Sequence, residues 1–135
     1  MLRWGFVRDV ALRTWLGRQS RMPAPAVGAR LSGPVARWYA GLSGDGDERV
    51  RRDVAELSRM LDRADALLAD GVLATDPPNA ATLQVLCTVR ALASFADLRE
   101  AVERHPCAAS ARALFPDFPE PVPPFLPRDW LSALR

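Results

Sequence analysis

The stretch "DPPNAATLQVL", residues 76–86, decides how this chain is read. Pro77 and Pro78 remove two backbone donors and disfavour helical geometry in the residues before them, so the preceding segment stops here. Asn79, the only asparagine in the chain, stands where an N-cap belongs, with an oxygen able to accept from the backbone N–H of Ala81 or Thr82. Pro78 and Leu83 take the N′ and N4 positions of a hydrophobic staple. From Ala80 to Phe95 the polar interruptions are Thr82, Gln84, Thr88, Arg90 and Ser94. A helix apolar over most of its circumference belongs at the centre of a bundle. The spacing therefore predicts a capped, buried helix rather than a binding loop. Truncating Leu83 or Leu86 to alanine is expected to cost about 2 to 5 kcal/mol.

The flanking sequence is helical too. Val50, Val54, Leu57, Leu61, Ala64 and Leu68 alternate spacings of four and three, which predicts a helix over 47–70 with one apolar face, closed by Gly71 in the left-handed conformation. Val27, Leu31, Val35, Trp38 and Leu42 form a similar stripe from Pro25 onward, with a kink expected at Pro34 and "SGDGD" as the end. A first helix is predicted over about 2–19, ended by "SRMPAP". After the central helix, Ser94 and Asp97 read as a capping box launching "LREAVERH", and Pro106 starts "PCAASARALF", where Ala108, Ala109 and Ala113 permit close helix contact. The segment 116–127 is too proline-rich for a helix and too apolar for a free linker, so it is expected to lie as an extended strap. No sustained period-two alternation and no Asn-Gly or Asp-Gly hairpin signal occurs. The expected fold is a single all-α domain over residues 1–135.

Composition narrows the function. All 18 basic residues are arginine, there is no lysine or isoleucine, and the formal net charge is +2. Such arginine usage reflects base composition and is weak evidence for nucleic acid; Trp4, Trp15, Trp38 and Trp130 lie on apolar stripes or in the tail, where packing explains them better than base stacking. Arg3, Arg8, Arg13 and Arg18 recur every five residues, with Arg21 three further on, which spreads them around a helix and argues against a targeting or membrane-surface face. With no secretory apolar region and no run of about 18 uncharged apolar residues, neither a membrane nor a nucleic-acid partner is expected, and the location expected by default is cytoplasmic. Cys87, Cys107 and His105 cannot supply a metal site of the usual ligand number without several carboxylates. Cys87 is expected to be a small buried hydrophobe, and a catalytic His105–Cys107 pair is disfavoured because the two side chains diverge at a helix start. Arg90 is the anomaly of the central helix. As a buried charge it must reach a carboxylate such as Asp65 or Asp97, helix-end carbonyls or solvent, or else face a ligand or a partner domain.

The proline-flanked cap, the apolar central helix and the ending "FPDFPEPVPPFLPRDWL" resemble the C-terminal helical domain of the glutathione S-transferase family, over nearly the whole chain. "PNAATLQV" is similar to the family's capped buried helix, except that Thr82 stands where the family has Asp. Thr82 cannot supply the same reciprocal acceptor, so Thr82→Asp is expected to raise the Tm. The resemblance implies a hydrophobic-substrate pocket wall made by Trp4, Val7, Arg8 and Ala11, and a dimer surface. It implies no catalytic residue, because the thioredoxin-like half that binds glutathione and activates its thiol has no counterpart here. The chain alone is thus expected to bind no cofactor, glutathione entering only with a thioredoxin-like domain. Self-association, a thioredoxin-like partner and a small hydrophobic ligand are the interactions implied. The alternative is a stand-alone helical interaction module without enzymatic activity.

Overall fold

The chain was analysed as a computed structural model, which describes residues 2–43, 46–118 and 121–134. Helices run α1 Leu2–Arg8, α2 Val10–Gln19, α3 Pro25–Leu31, α4 Gly33–Ser43, α5 Asp47–Ala55, α6 Leu57–Ala69, α7 Ala80–Ala93, α8 Arg99–Glu103 and α9 Pro106–Leu114, followed by a 3-10 turn, Trp130–Leu134. Among the described residues the only extended pairings are two isolated bridges, so the all-α expectation holds.

Three predicted helices are each divided in two. Asp9 breaks the first: its backbone is extended (φ −107°) and its carboxylate accepts from Leu12 N at 2.9 Å, so it caps α2. Pro34 divides the second, as its missing N–H requires. Glu56 interrupts the third only lightly, since Glu56 N and Met60 N still bond to carbonyls four residues back. Gly71 has φ +73° as expected, and the N–H groups of Gly71 and Leu73 satisfy the Leu68 and Leu67 carbonyls at the end of α6.

The core forms where these faces converge. Val50, Val54, Leu57, Leu61 and Ala64 from α5 and α6 pack with Leu86, Val89 and Ala93 of α7, Val102 of α8, and Cys107, Ala108 and Ala111 of α9. The close approach of α9 uses Ala108 and Ala111; Ala109 and Ala113, expected to share that role, face solvent. Nor is α7 enclosed all round. Leu86 is fully buried, but Leu83 is 44% exposed and Cys87 is on the surface.

The tail is the expected strap. Val122 exchanges backbone hydrogen bonds with Ser94 and Ala96, and Asp97 accepts from Phe125 N (2.7 Å) and Leu126 N (2.9 Å). Asp97 therefore ties down the strap and does not complete a capping box; Ser94 Oγ bonds to the Ala91 carbonyl instead. A Cβ at Gly5 would run into the Phe125 ring, so glycine is what lets the strap cross α1 closely. Residues 119 and 120 of the strap lie outside the described residues.

The largest departure is in α3 and α4. Their small residues, Ala29, Gly33 and Ala36, are the buried ones, turned toward α1 and α2. The stripe expected to be core points outward: Leu31 is 73% exposed and Trp38 67%, with Val27 and Val35 similar. The Leu42 side chain and the Gly44–Asp45 end of that helix lie outside the described residues.

Candidate functional site

Arg13 explains why the small face of α3 and α4 turns inward. It is buried in α2, yet its Nε donates to the Ala29 carbonyl (2.7 Å) and its Nη1 to the Phe6 (2.7 Å) and Val7 (2.9 Å) carbonyls. Phe6 and Val7 lie at the C-terminal end of α1, where unpaired carbonyls concentrate negative charge, so a guanidinium there closes one helix and ties it to another. Small residues let the helices approach: a Cβ at Gly17 would sit 3.0 Å from Pro25 Cβ, tighter than ordinary contact, whereas one at Gly33 would lie in ordinary van der Waals contact, 3.6 Å from Arg13 Nη2. Arginine spacing alone did not distinguish Arg13 from its neighbours. The signal was the small-residue register Ala29, Gly33, Ala36 across from it.

Of the four residues implied as a pocket wall, Arg8 and Ala11 are exposed and Trp4 and Val7 are not. Trp4 is buried, its ring 5.1 Å from Trp130 and 6.5 Å from Phe125, and its Nε1 donates to Asp47 Oδ1 at 3.0 Å. Arg8 joins it by pairing with Asp47 and laying its guanidinium 4.9 Å over the Trp4 ring. Val7 is half-buried above Arg13, and Ala11 faces solvent. The cavities described here have other linings.

The cap is built as expected and then differs at Thr82. Asn79 Oδ1 accepts from Thr82 N at 2.8 Å, and Asn79 Nδ2 reaches back to the Val72 carbonyl. Thr82 is fully buried, and its Oγ1 donates to the Ala74 carbonyl at 2.7 Å, with Asn79 Oδ1 3.0 Å away. The single hydroxyl proton goes to the nearer acceptor, the Ala74 carbonyl. An aspartate there would bring a further acceptor against the Ala74 carbonyl, so the expected gain from Thr82→Asp reverses sign.

Arg90 finds neither Asp65 nor Asp97. Its Nε donates to the Phe115 carbonyl, just past the end of α9, at 3.0 Å, and its guanidinium lies 4.8 Å over the Phe118 ring. Asp65 is occupied elsewhere. It accepts from Cys107 N (2.8 Å) and His105 Nδ1 (2.7 Å), fixing the start of α9 to α6. Burial pushes the Asp65 carboxyl up, but the Cys107 N–H and the His105 contact outweigh it and hold it below its usual value. Burial first, and then Asp65, raise the Cys107 thiol to about 12. A thiol so protonated is no nucleophile at neutral pH, in keeping with the disfavoured His105–Cys107 pair. Among the described residues Asp62, Asp65 and His105 have ligand atoms within 4.8 Å of one another, but the Asp65 oxygens already hold α9 in place.

Among the described residues, two apolar surfaces bear on function. One is the outward face of α3 and α4. The other is a groove along α6 and α7 lined by Met60, Leu61, Ala64, Val85, Val89 and Leu92, with cavities of about 200 and 480 Å³. No helix is long and apolar enough to cross a membrane. No protein-family model, curated protein or solved structure matches this chain.

Proposed function

We propose that the chain is a non-catalytic helical docking module, similar to the C-terminal half of a glutathione S-transferase, whose α3–α4 face receives a thioredoxin-like domain. One observation carries this reading: Val27, Leu31, Val35 and Trp38 form an uninterrupted apolar stripe with its side chains in solvent. Isolated exposed apolar residues are ordinary, whereas a contiguous stripe of this kind is characteristic of a surface that is covered in use. Charge bears on the occupant. Residues 2–43 carry seven arginines against one aspartate, with Arg30 and Arg37 exposed beside the stripe. A second copy would bring the same arginines into opposition, so a different domain with an acidic rim is the better complement. The sequence resemblance supplies its class, and with it glutathione and a thiol-activating residue. In that arrangement Arg8 and Ala11, both exposed, are the members of the first-helix set placed to meet substrate, while Trp4 stays enclosed.

The test is sedimentation of the chain with the thioredoxin-like half of a bacterial glutathione S-transferase, produced separately. A one-to-one complex is expected, lost in Leu31→Glu. No complex at micromolar concentrations, or one indifferent to Leu31→Glu, would overturn the reading, as would conjugation of glutathione to chlorodinitrobenzene by the chain alone.

A second reading rests on the groove between α6 and α7, whose volume suits a small apolar ligand. Retention of an apolar dye by the wild-type chain, abolished by Val85→Glu, would support it.

A further inference from the structure

A cavity of about 320 Å³ is polar where those along α6 and α7 are apolar, and lies where the end of α7, α8, α9 and the start of the strap meet. Its lining includes Arg90, Ser94, Arg99, Glu103, Arg112 and Phe118. Three guanidinium groups therefore share one hollow with one carboxylate, an excess of two positive charges among the described residues.

The arginines are held before any ligand arrives. Arg90 is anchored through Nε to the Phe115 carbonyl, and Arg99 through Nε to the Ala93 carbonyl at 3.3 Å. In both, the anchoring bond uses Nε, and among the described residues the terminal nitrogens of the fork make no hydrogen bond. The Phe118 ring lies against the Arg90 guanidinium, its centroid 4.8 Å away. Arg112 gives one nitrogen to Glu103 at 2.8 Å. Arginine forks fixed in place lose little side-chain freedom on binding, and they match the oxygens of a phosphoryl group better than point charges do.

We propose that this pocket binds the phosphoryl group of a small, freely diffusing phosphate monoester. A dianion balances the charge of the site, and the cavity leaves room for a few atoms beyond the phosphoryl group. The site is separate from the docking face and does not depend on it.

The test is an NMR titration of the full chain with glycerol phosphate at low chloride, with acetate as a monoanion control. Glu120, outside the described residues, is two residues from Phe118 in the sequence, and Glu120→Gln is titrated in parallel. Saturable shifts at the Ser94, Arg99 and Phe118 amides are expected, tightening as pH rises through the ester's second pKa of about 6. Arg99→Gln should weaken binding about tenfold or more, and Arg63→Gln, on α6, should not. Arg112→Gln serves as the second variant should Arg99→Gln fail to fold. The absence of saturable shifts in both wild type and Glu120→Gln would overturn the proposal. So would equal binding of acetate, indifference to Arg99→Gln and Arg112→Gln, or binding to phosphatidic acid vesicles without binding to glycerol phosphate.

Discussion

The head of α7 and the α3–α4 pair present the same kind of pattern in sequence and opposite outcomes in space. In both, apolar residues recur at helical spacing. In α7 the large residues, Leu86 and Val89, face the core; in α3 and α4 the large residues, Leu31, Val35 and Trp38, face solvent while Ala29, Gly33 and Ala36 are buried. Periodicity identifies a face but does not say which face the neighbour needs. Where the neighbour presents a buried arginine that requires a backbone carbonyl, the small face wins, because only close approach brings the Ala29 carbonyl within 2.7 Å of Arg13 Nε.

The contrast can be broken most forcefully from the core side. Leu86→Ala is expected to lose about 2 to 5 kcal/mol in denaturant unfolding, whereas Leu83→Ala, three residues earlier on the same helix, should lose clearly less. Equal losses would mean that α7 is enclosed after all. Arg13→Met keeps much of the volume and removes the bonds to three carbonyls, at an expected cost of about 3 kcal/mol; a neutral result would leave the inward turn of Ala29 and Gly33 without its cause. Thr82→Asp is expected to lower stability by about 2 kcal/mol, and a raised Tm would restore the reading drawn from the sequence alone.

Much of the α7 region was legible because its determinants are local. Asn79 and Thr82 are three residues apart, Gly71 directly follows its helix, and Pro106 opens α9 where proline is tolerated. What could not be read were partnerships across the chain. Arg90 meets the Phe115 carbonyl, Asp97 meets the strap at Phe125 and Leu126, and Asp65 meets Cys107, each at a separation that no helical period encodes. Asp9 is an intermediate case. Its capping distance to Leu12 is local, but the continuous helical pattern on both sides concealed the break.

Asp65 sharpens the comparison through pH. Its carboxyl is held below its usual value in the fold, so the stability it contributes is complete above the unfolded pKa of about 3.9 and is lost as pH falls through the lower folded value. Acid titration followed by circular dichroism should therefore show an acid limb below about pH 4 that Asp65→Asn flattens. An unchanged limb would mean that the Asp65 tie to α9 contributes nothing.

The smallest expected effect tests the account most directly. The double variant Leu31→Glu/Val35→Glu places two charges on a stripe that sequence periodicity assigns to the core and the fold leaves in solvent. Its Tm, measured beside that of Leu86→Ala, is expected to stay close to wild type, within about 0.5 kcal/mol per site. A loss comparable to that of Leu86→Ala would show that the stripe is core, and the docking face would not exist.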